Sequence, residues 1–541
     1  MAEWIVRRFW GYLPAAPIAL FLGMVGYIGF CDPHFPCHAA ELDLHLASEA
    51  AIPPDRPVAT AKVAGIVDTF RYKPTGTEAN AGIPYWIFKA LPALFKDDPR
   101  FANASPGHEW DAFGMFGDAD PAMTRASGIP RGMVLADTDV QLPGTVVGIG
   151  LKRVAFNCAA CHQGEWLDDQ DQRHLVDGMP NHSIDTQQFK TFIHDAMKSA
   201  LFTPERVLEE IDHQLALAGH AALTRWERLV YTGVVTAMRQ GDDNTGWMAK
   251  RPPNGPGRVD AFSAVKYEVL AVPDDGKLAT VDLPSIWHQG NDIRPWHHWD
   301  GNTDNSRARN YGSVVGVGGS ALSVRGVNVD QVAAWLDSSL GPPAETPFAR
   351  KAATDPLVVR GKQLFGDLGC AHCHGTYDPA TGQVERAADS SYMTSVVVDT
   401  DPRRWQAFDP GTAAALDGWG FARGIWPQNA FRPASPGYVP PPLDGIWARA
   451  PYLHNGSVPS LRALLTAPED GAPPPRPAVF YRGSRRYDAT TMGWEIAPTE
   501  RGTGRALFKY DTSLDGNGNG GHAFYVADGD LDAMLAYLGT L

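Results

Sequence analysis

The sequence lacks three features that would each define a class of protein. No low-complexity run accompanies its 55 glycines and 44 prolines, which favours loop-rich globular structure over disorder. No basic stripe is present and the formal net charge is −14, so nucleic acid is a poor candidate partner. No single small domain accounts for 541 residues, which are enough for two or three units with cores of their own.

Cysteine is scarce, and its distribution is the most informative feature of the chain. Four of the six cysteines lie in two CxxCH pentapeptides, CAACH at 158–162 and CAHCH at 370–374. In this motif both thiols reach one porphyrin edge and add to the haem vinyl groups, while the histidine becomes the proximal iron ligand. A closed zinc site would need four ligands. The motifs therefore predict two covalently bound haem c groups, held by Cys158, Cys161 and His162 and by Cys370, Cys373 and His374.

The first thirty residues predict a membrane anchor. An apolar run at 13–30 follows two arginines, and its prolines lie near its start, where a helix tolerates them. A cleaved signal peptide is the alternative, although HAA at 38–40 is a poor cleavage site. Both interpretations send the chain across the membrane, so we expect a periplasmic protein anchored at the inner membrane. There the remaining cysteines, Cys31 and Cys37, either form a disulfide or stay free thiols.

The spacing of apolar residues and the positions of proline and glycine predict the helices and the domain boundary of the remaining chain. Apolar residues three and four apart predict helices at 184–197, 204–239, 329–340 and 352–367, and an amphipathic helix that closes the chain at 528–541. The proline- and glycine-rich stretch GPPAETP at 341–347 marks a boundary between two halves.

The sixth iron ligand decides what each haem does. A methionine or second histidine makes an electron-transfer site, whereas an open position binds dioxygen or peroxide. Three side chains near the first motif are candidates: His174, Met179 and His182. They lie in a polar loop, so we expect the first haem to be open or only conditionally closed. Four side chains are candidates at the second motif, and sequence distance does not choose among them: Met393, His454, Met492 and His522.

The stretch PPLDGIWARAPYLHNGSVPSLRALL at 441–465 resembles the bacterial di-haem cytochrome c peroxidase superfamily, and is most similar to its rubber-oxygenase-like branch. Three further stretches look like the same branch: LVDGMPNHSIDTQQF at 175–189, GPGRVDAF at 255–262 and NGNGGHAF at 517–524. Two departures remain. Authentic rubber oxygenases are longer and secreted, and the distal histidine of classical peroxidases has no recognisable counterpart in the first half.

The resemblance implies a mainly α-helical fold with long loops and few short strands. It implies two cytochrome c-like domains, which the boundary near 345 places at 31–345 and 346–541, after the membrane helix that the apolar run predicts at 1–30. In the second, the helix before CxxCH crosses the closing helix. The resemblance also implies an open first haem that holds dioxygen and a second haem with two histidines. His522 matches the distal histidine of the branch, and His454 lies close by without being a ligand.

Two other segments carry weaker signals. The aromatic segment 283–302 contains Trp287, Trp296 and Trp299, and the resemblance puts part of it beside the first haem. Most tryptophans are simply core residues, and Trp287 is our candidate for a catalytic residue of the haem pocket. Asp515 to Gly520 opens like a calcium loop, but its twelfth position is Val526 instead of glutamate. Calcium is possible in this superfamily, yet no motif here supports it.

We therefore expect a haem-dependent oxidoreductase of peroxidase or dioxygenase type. The first haem would activate peroxide or dioxygen towards an unidentified organic substrate or protein side chain. The second would exchange electrons with a partner such as a small cytochrome or cupredoxin, and the acidic charge suits a basic partner. A pure electron carrier with both irons six-coordinate and a gas-binding haem sensor are the alternatives.

Overall fold

The computed structural model describes residues 42–44, 46–50, 52, 66–102, 104–105, 107–117, 128–141, 147–241, 245–290, 296–338, 340–377, 384–385, 395–469 and 472–541. The membrane helix expected at 1–30, the pair Cys31 and Cys37, and Met393 lie outside these residues. Within the described ranges, no helix combines the length and apolarity needed to cross a membrane.

The expected mainly α-helical fold with few short strands is wrong, because the fold is mixed: 39% of the described residues are helical and 12% lie in strands. The largest sheet contains an antiparallel pair, Met133–Gln141 and Val147–Phe156, in register over nine residue pairs from Met133 opposite Phe156 to Gln141 opposite Gly148. Leu42–Leu44 joins Val147–Phe156 in parallel, and Ile83–Pro84 joins it antiparallel. A second pair, Gln163–Leu167 and Arg173–Asp177, begins directly after the first CxxCH motif.

The remaining strands are short and form two-stranded pairs. These are Arg258–Val259 with Val281–Asp282, Thr376–Tyr377 with Val384–Glu385, Val479–Arg482 with Phe508–Asp511, and Tyr487–Asp488 with Gly493–Trp494.

The α-helices of the described residues include both CxxCH turns. Those up to residue 345 are Ala47–Ala50, Ile66–Tyr72, Glu78–Ala81, Tyr85–Leu94, Cys158–His162, Thr186–Lys198, Pro204–Leu217, Arg225–Gln240, Ala261–Ala264, Ser306–Gly316 and Gly326–Ser338. Those beyond it are Pro356–Asp367, Cys370–His374, Arg403–Ala407, Pro410–Phe421, Leu461–Leu465 and Asp528–Leu538.

The single helix expected over 204–239 is two helices. The first ends at Leu217, just before Gly219, whose φ of 79° cannot continue a right-handed helix. The second begins at Arg225 with a capping box, in which the side chains of Thr224 and Glu227 each accept a hydrogen bond from the other's backbone N–H. The pattern of apolar residues runs through the break because both helices bury faces in the same cluster.

The crossing of two helices in the C-terminal half is confirmed. Pro356–Asp367 packs on Asp528–Leu538 at Gly361, where a Cβ atom would collide with the carbonyl oxygen of Ala533. The rings of Phe365 and Tyr537 meet next to this contact, with centroids 5.4 Å apart. A glycine at the crossing therefore lets the two backbones touch.

Two large apolar clusters form the core. One lies within the N-terminal part and includes Phe88, Phe192 and Tyr231. The other crosses residue 345, since it joins Trp287 to Tyr452 and other side chains of the C-terminal half. The second cluster is therefore common to both halves, and the boundary near 345 stays a prediction.

Candidate functional site

The first CxxCH motif forms a single helical turn, Cys158–His162, with hydrogen-bonded groups at both ends. Asn157 caps its start, since its side-chain oxygen accepts a hydrogen bond from the backbone N–H of Ala159 (3.1 Å). The amide of Asn157 in turn donates to the carbonyl of Phe70 (3.1 Å). A turn this short has no stability of its own, so these contacts hold it in place.

The carbonyl end of the turn is capped by the stretch DGMPN at 177–181. The backbone N–H of Gly178 donates to the carbonyl of His162 (2.7 Å), and that of Asn181 donates to the carbonyl of Cys161 (2.8 Å). The side chain of Asn181 also donates to the carbonyl of Ala160 (2.7 Å). The resemblance had singled out this stretch, and its contacts give it a structural role at the first motif.

His162 is oriented by a backbone carbonyl far along the chain. Its Nδ1 lies 3.1 Å from the carbonyl oxygen of Pro284. A proton on Nδ1 donates to this oxygen and leaves Nε2 as the metal ligand. Burial, and then the positive charge of Arg309, lower the pKa of His162 to about 3, so the ring is neutral as a ligand must be.

A cavity of about 90 Å³ adjoins this motif, and we call it the N-terminal cavity. Its wall combines Cys158, Cys161 and His162 with Arg309 and with aliphatic side chains such as Val314 and Leu336. Among the described residues, no methionine and no second histidine lines it.

The three sixth-ligand candidates of the first haem lie elsewhere. His174 stacks on Trp166 at 3.8 Å, and its ring nitrogens face carboxylates of Asp168 (3.2 Å) and Glu345 (3.0 Å). His182 is buried and stacks on Trp494 at 3.8 Å. Met179 is fully buried in the core that crosses residue 345.

The second CxxCH motif repeats this design. Cys370–His374 is one helical turn that follows the helix Pro356–Asp367. Gly369 separates the two, because its φ of 77° cannot continue a right-handed helix. The Nδ1 atom of His374 lies 2.8 Å from the carbonyl oxygen of Pro441. Burial lowers the pKa of His374, so this ring is also neutral. Both proximal histidines are therefore anchored through Nδ1 by a proline carbonyl.

A cavity of about 480 Å³ adjoins the second motif, and we call it the C-terminal cavity. It is lined by Cys370, Cys373 and His374, and also by His522. The ring centroids of His374 and His522 lie 6.3 Å apart. A metal–imidazole bond is about 2 Å long and the centroid lies about 1 Å behind the nitrogen, so two axial imidazoles have centroids about 6 Å apart. The spacing of these rings therefore suits one metal between them.

The stretches of the resemblance converge on the loop that carries His522. Arg258 donates to the side-chain oxygen of Asn517 (2.8 Å), and Asn455 donates to the carbonyl of Gly518 (2.9 Å). Arg476 donates to the carbonyl of Gly521 (2.8 Å), next to His522 itself. Residues 255–262, 441–465 and 517–524 thus form one hydrogen-bonded frame.

The apparent calcium loop belongs to the same frame. Its Asn517 also donates to the carbonyl of Asp511 (3.0 Å), and Asn519 donates to the carbonyl of Pro477 (3.2 Å). Asp515 forms an ion pair with Arg403 (2.7 Å). These polar side chains bind protein groups, as expected for a glycine-rich turn.

The other described candidates at the second haem are less well placed. His454 lines the C-terminal cavity, but its ring lies flat on Tyr438 with centroids 3.9 Å apart. Met492 is buried in the core and does not line the cavity. Of the described candidates, His522 therefore has the position that best suits a distal ligand.

The residues at the C-terminal motif fit a haem c group. Two thiols and an anchored imidazole open onto a cavity whose volume is within the range of cofactor pockets. The Nδ1 atom of His522 is buried without a hydrogen-bond partner among the described residues. At the N-terminal motif the donors are the same, but the cavity is about a fifth as large. A porphyrin there has to displace aliphatic side chains of that wall.

The aromatic segment divides between the core and the C-terminal cavity. Trp287 is fully buried, donates from Nε1 to the carbonyl of Asp177 (2.8 Å), and lines neither cavity. Its ring packs on Gly445, in the segment that also carries Pro441. Trp296 and Trp299 line the C-terminal cavity.

Sequence reasoning missed three groups at the sites: the carbonyls of Pro284 and Pro441, which anchor the histidines, and the side chain of Arg309, which lines both cavities. Every residue has a carbonyl, so no local signal marks the two that anchor the histidines. Arg309 lies in an ordinary helical sequence, SRARNYGSVVG, whose arginines look alike until the fold buries one of them.

Comparisons with known proteins agree with this geometry. Residues 437–480 match a family described as RoxA-like, cytochrome c-like. The match supports the rubber-oxygenase-like cytochromes c, and a domain of this kind implies covalently bound haem c. The matched segment contains Pro441 and His454, at the wall of the C-terminal cavity.

Two curated relatives come from Sinorhizobium fredii (strain NBRC 101917 / NGR234). The uncharacterized protein y4iM is 32% identical over 301 residues, which cover 52% of this chain and 66% of the relative, just under two thirds. The uncharacterized protein y4iJ is 25% identical over 509 residues, covering 77% of this chain and 82% of the relative. Their names assign no activity.

Proposed function

We propose that this protein is a periplasmic di-haem c-type cytochrome oxidoreductase. The first haem, held by Cys158, Cys161 and His162, activates peroxide or dioxygen. The second, held by Cys370, Cys373 and His374 with His522 as distal ligand, transfers electrons. The match to a cytochrome c-like family supports haem c, and the number of haems is part of the proposal.

The asymmetry of the two cavities carries this proposal. Two histidine rings lie 6.3 Å apart across the C-terminal cavity, which suits a six-coordinate electron-transfer site. The described lining of the N-terminal cavity offers only His162 as an imidazole ligand. An iron with an open position binds peroxide or dioxygen, which is the chemistry that the cofactor supplies.

The protein's own groups contribute orientation and exclusion of water. The carbonyls of Pro284 and Pro441 fix both proximal imidazoles and increase their basicity. Aliphatic side chains such as Val314 and Leu336 keep the N-terminal cavity dry, which favours small uncharged molecules. Trp287 packs between the segment that follows the first motif and the loop that anchors His374, and we propose that it relays electrons between the two sites without lining either cavity.

The electron partner is proposed from charge. The formal net charge of −14 favours a basic or dipolar redox protein, such as a small cytochrome or a cupredoxin.

Low-temperature EPR of the oxidised full-length protein tests the proposal. We expect one high-spin and one low-spin ferric haem, and carbon monoxide should bind to one reduced haem per chain. The Cys158→Ser/Cys161→Ser double variant should lose the high-spin signal and carbon monoxide binding, whereas Cys370→Ser/Cys373→Ser should affect the low-spin signal. Two low-spin signals in the parent protein would favour a pure electron carrier. An open haem that binds carbon monoxide but turns over neither peroxide nor an organic substrate would favour a sensor.

A further inference from the structure

His288 is a partly exposed histidine that binds a buried carboxylate. Its Nδ1 lies 3.1 Å from Oδ2 of Asp444, and the side chain of His288 is 29% exposed against 1% for that of Asp444. The backbone N–H of His288 donates to the carbonyl of Leu340 (2.8 Å), which helps to hold the residue at a φ of 45°. The ring is therefore open to exchange of protons with water, while its charge acts on a group in the interior.

Asp444 connects this histidine to the C-terminal cavity. Its other oxygen, Oδ1, accepts a hydrogen bond from Nη2 of Arg449 (2.8 Å). Arg449 lines the cavity, and its Nη1 also donates to the carbonyl of Pro442 (2.5 Å). One carboxylate thus bridges a histidine that reaches water and a guanidinium in the wall of the candidate haem site.

The charge of Arg449 reaches the proximal histidine of the second motif. Burial lowers the pKa of His374, and the charge of Arg449 adds to that effect. Charges act over longer distances where water is excluded. A change in the net charge of the group that contains Arg449 is therefore felt at a haem bound to this motif.

The net charge of His288, Asp444 and Arg449 depends on one proton. With a neutral ring, the carboxylate and the guanidinium cancel each other, whereas a protonated ring leaves one positive charge. Histidine is the side chain that ordinarily changes its charge between about pH 5 and 8. The three side chains together therefore form a switchable charge at the edge of the C-terminal cavity.

The charged groups on the elements packed around this histidine have other partners. The stretch 341–347 lies against the ring through its first glycine, and its Glu345 pairs with His174 (3.0 Å). The helix before it carries Asp337, whose pKa is raised by burial against the opposing charge of Arg309. The carboxylate that binds the ring therefore remains its direct charged partner.

We propose that His288 is the proton-uptake site of the C-terminal haem, whose ring gains a proton through its link to Asp444 and Arg449 when that haem gains an electron. This inference rests on the electron-transfer role proposed for the second haem, and it needs no haem at the first motif. The electron comes from the redox partner and the proton from water, so the only bond that forms is N–H. His288 lines neither cavity, so it is a positioning residue that acts through its neighbours.

The direction of the effect follows from charge. Reduction removes one positive charge from the iron, so a positive charge nearby becomes less unfavourable and the ring binds its proton more tightly. By reciprocity, the protonated ring raises the reduction potential of the haem. The midpoint potential should therefore fall as the pH rises and the ring loses its proton.

Redox titration of the haem-loaded full-length protein between about pH 5 and 8 tests this role, with the C-terminal haem followed by its low-spin signal. His288→Gln keeps a polar group beside Asp444 but carries no charge, so its midpoint should lie near the high-pH value of the parent at every pH. His213→Gln is the matched control, since His213 also pairs with a carboxylate, that of Glu210 (3.3 Å), and lines neither cavity. It should keep the pH dependence of the parent.

Three outcomes overturn the proposal. They are a parent midpoint that does not change with pH, a pH dependence that His288→Gln retains in full, and a shift in His288→Gln that is equal at every pH, as a structural role would give. If His288→Gln does not retain its haem, Asp444→Asn takes its place. It removes a negative charge and breaks the link, so it should raise the midpoint and flatten its pH dependence, and an undiminished pH dependence overturns the proposal.

The haem content of the parent separates this inference from the proposed function. One haem per chain, held at the second motif alone, would contradict the di-haem function, and the pH dependence would still decide the role of His288. A second motif without haem would overturn both proposals.

Discussion

At the scale of single residues, His522 owes its role to neighbours that are distant in sequence. Its φ of 50° belongs to a left-handed conformation that is uncommon outside glycine. Hydrogen bonds hold it there, since its backbone N–H donates to the carbonyl of Val398 (2.6 Å) and Arg476 binds the carbonyls beside it. Burial, followed by the neighbouring His374 ring and the charge of Arg476, lowers the pKa of His522 to about 4, so the His522 ring is neutral and able to bind metal near neutral pH.

Replacing His522 by alanine should convert the second haem from low-spin to high-spin, because its iron loses the distal imidazole. EPR and the optical spectrum of the oxidised protein measure the change. His454→Phe is the control, since it removes the other histidine that the sequence offers as a distal ligand and preserves the stack on Tyr438. A low-spin signal that survives in His522→Ala but disappears in His454→Phe would make His454 the ligand instead.

Ligand chemistry could be predicted from sequence where it is local, and not where it depends on the fold. CxxCH places two thiols and an imidazole within five residues, so both motifs were recognisable at once. Pro284 and Pro441 act through carbonyls 122 and 67 residues from the histidines they anchor. His522 was predictable only through resemblance, because four candidate side chains were equally consistent with sequence distance.

At the scale of secondary-structure elements, helix prediction succeeded where one face is buried, and strand prediction failed. The closing helix and the helix before the second motif lie close to their expected bounds. The nine-residue strand MVLADTDVQ was missed because aspartate is unfavourable in strands and its polar half breaks the apolar pattern. Its partner contains two glycines, Gly148 and Gly150, so pairing along the whole ladder outweighs weak local propensity.

The helix crossing at Gly361 predicts how two glycine substitutions change the free energy of unfolding. Gly361→Ala should destabilise the protein by about 1–3 kcal/mol, because a methyl group there meets the backbone of Ala533 and forces the helices apart. Gly366→Ala on the same helix has open space around its Cβ, so it should be neutral or stabilise by up to about 1 kcal/mol. Urea unfolding of both variants provides the measurement. Equal stabilities would mean that the crossing is not close-packed.

At the scale of the whole molecule, a buried network of charges joins the two halves of the chain. Glu165, in the strand that follows the first motif, is fully buried. It accepts from Arg131 (2.9 Å) and Arg173 (2.5 Å), and from Arg485 of the C-terminal half (3.1 Å). Burial opposes ionisation of Glu165, but these three guanidinium groups outweigh it and lower its pKa to about 2.

Glu165→Gln should therefore destabilise the protein by roughly 3–5 kcal/mol near neutral pH, because it removes the buried carboxylate that three guanidinium groups share. The control is Glu495→Gln, which breaks the exposed pair with Arg501 (2.9 Å) and should cost less than about 1 kcal/mol. Urea unfolding at pH 7 compares the two variants. A loss for Glu165→Gln no larger than that for Glu495→Gln would mean that the network does not hold the halves together.

The pH dependence of unfolding gives this prediction a second measurement. The folded-state pKa of Glu165 is about 2 against an ordinary value of 4.5, so its contribution is fully present above pH 4.5 and is lost as the pH falls towards 2. The parent protein should lose stability over this window more steeply than Glu165→Gln, which has no proton to bind at this position. The free energies of unfolding of the two proteins should therefore converge in acid. If the difference between them stays constant between pH 4.5 and 2, protonation of Glu165 is not a cause of the loss of stability in acid.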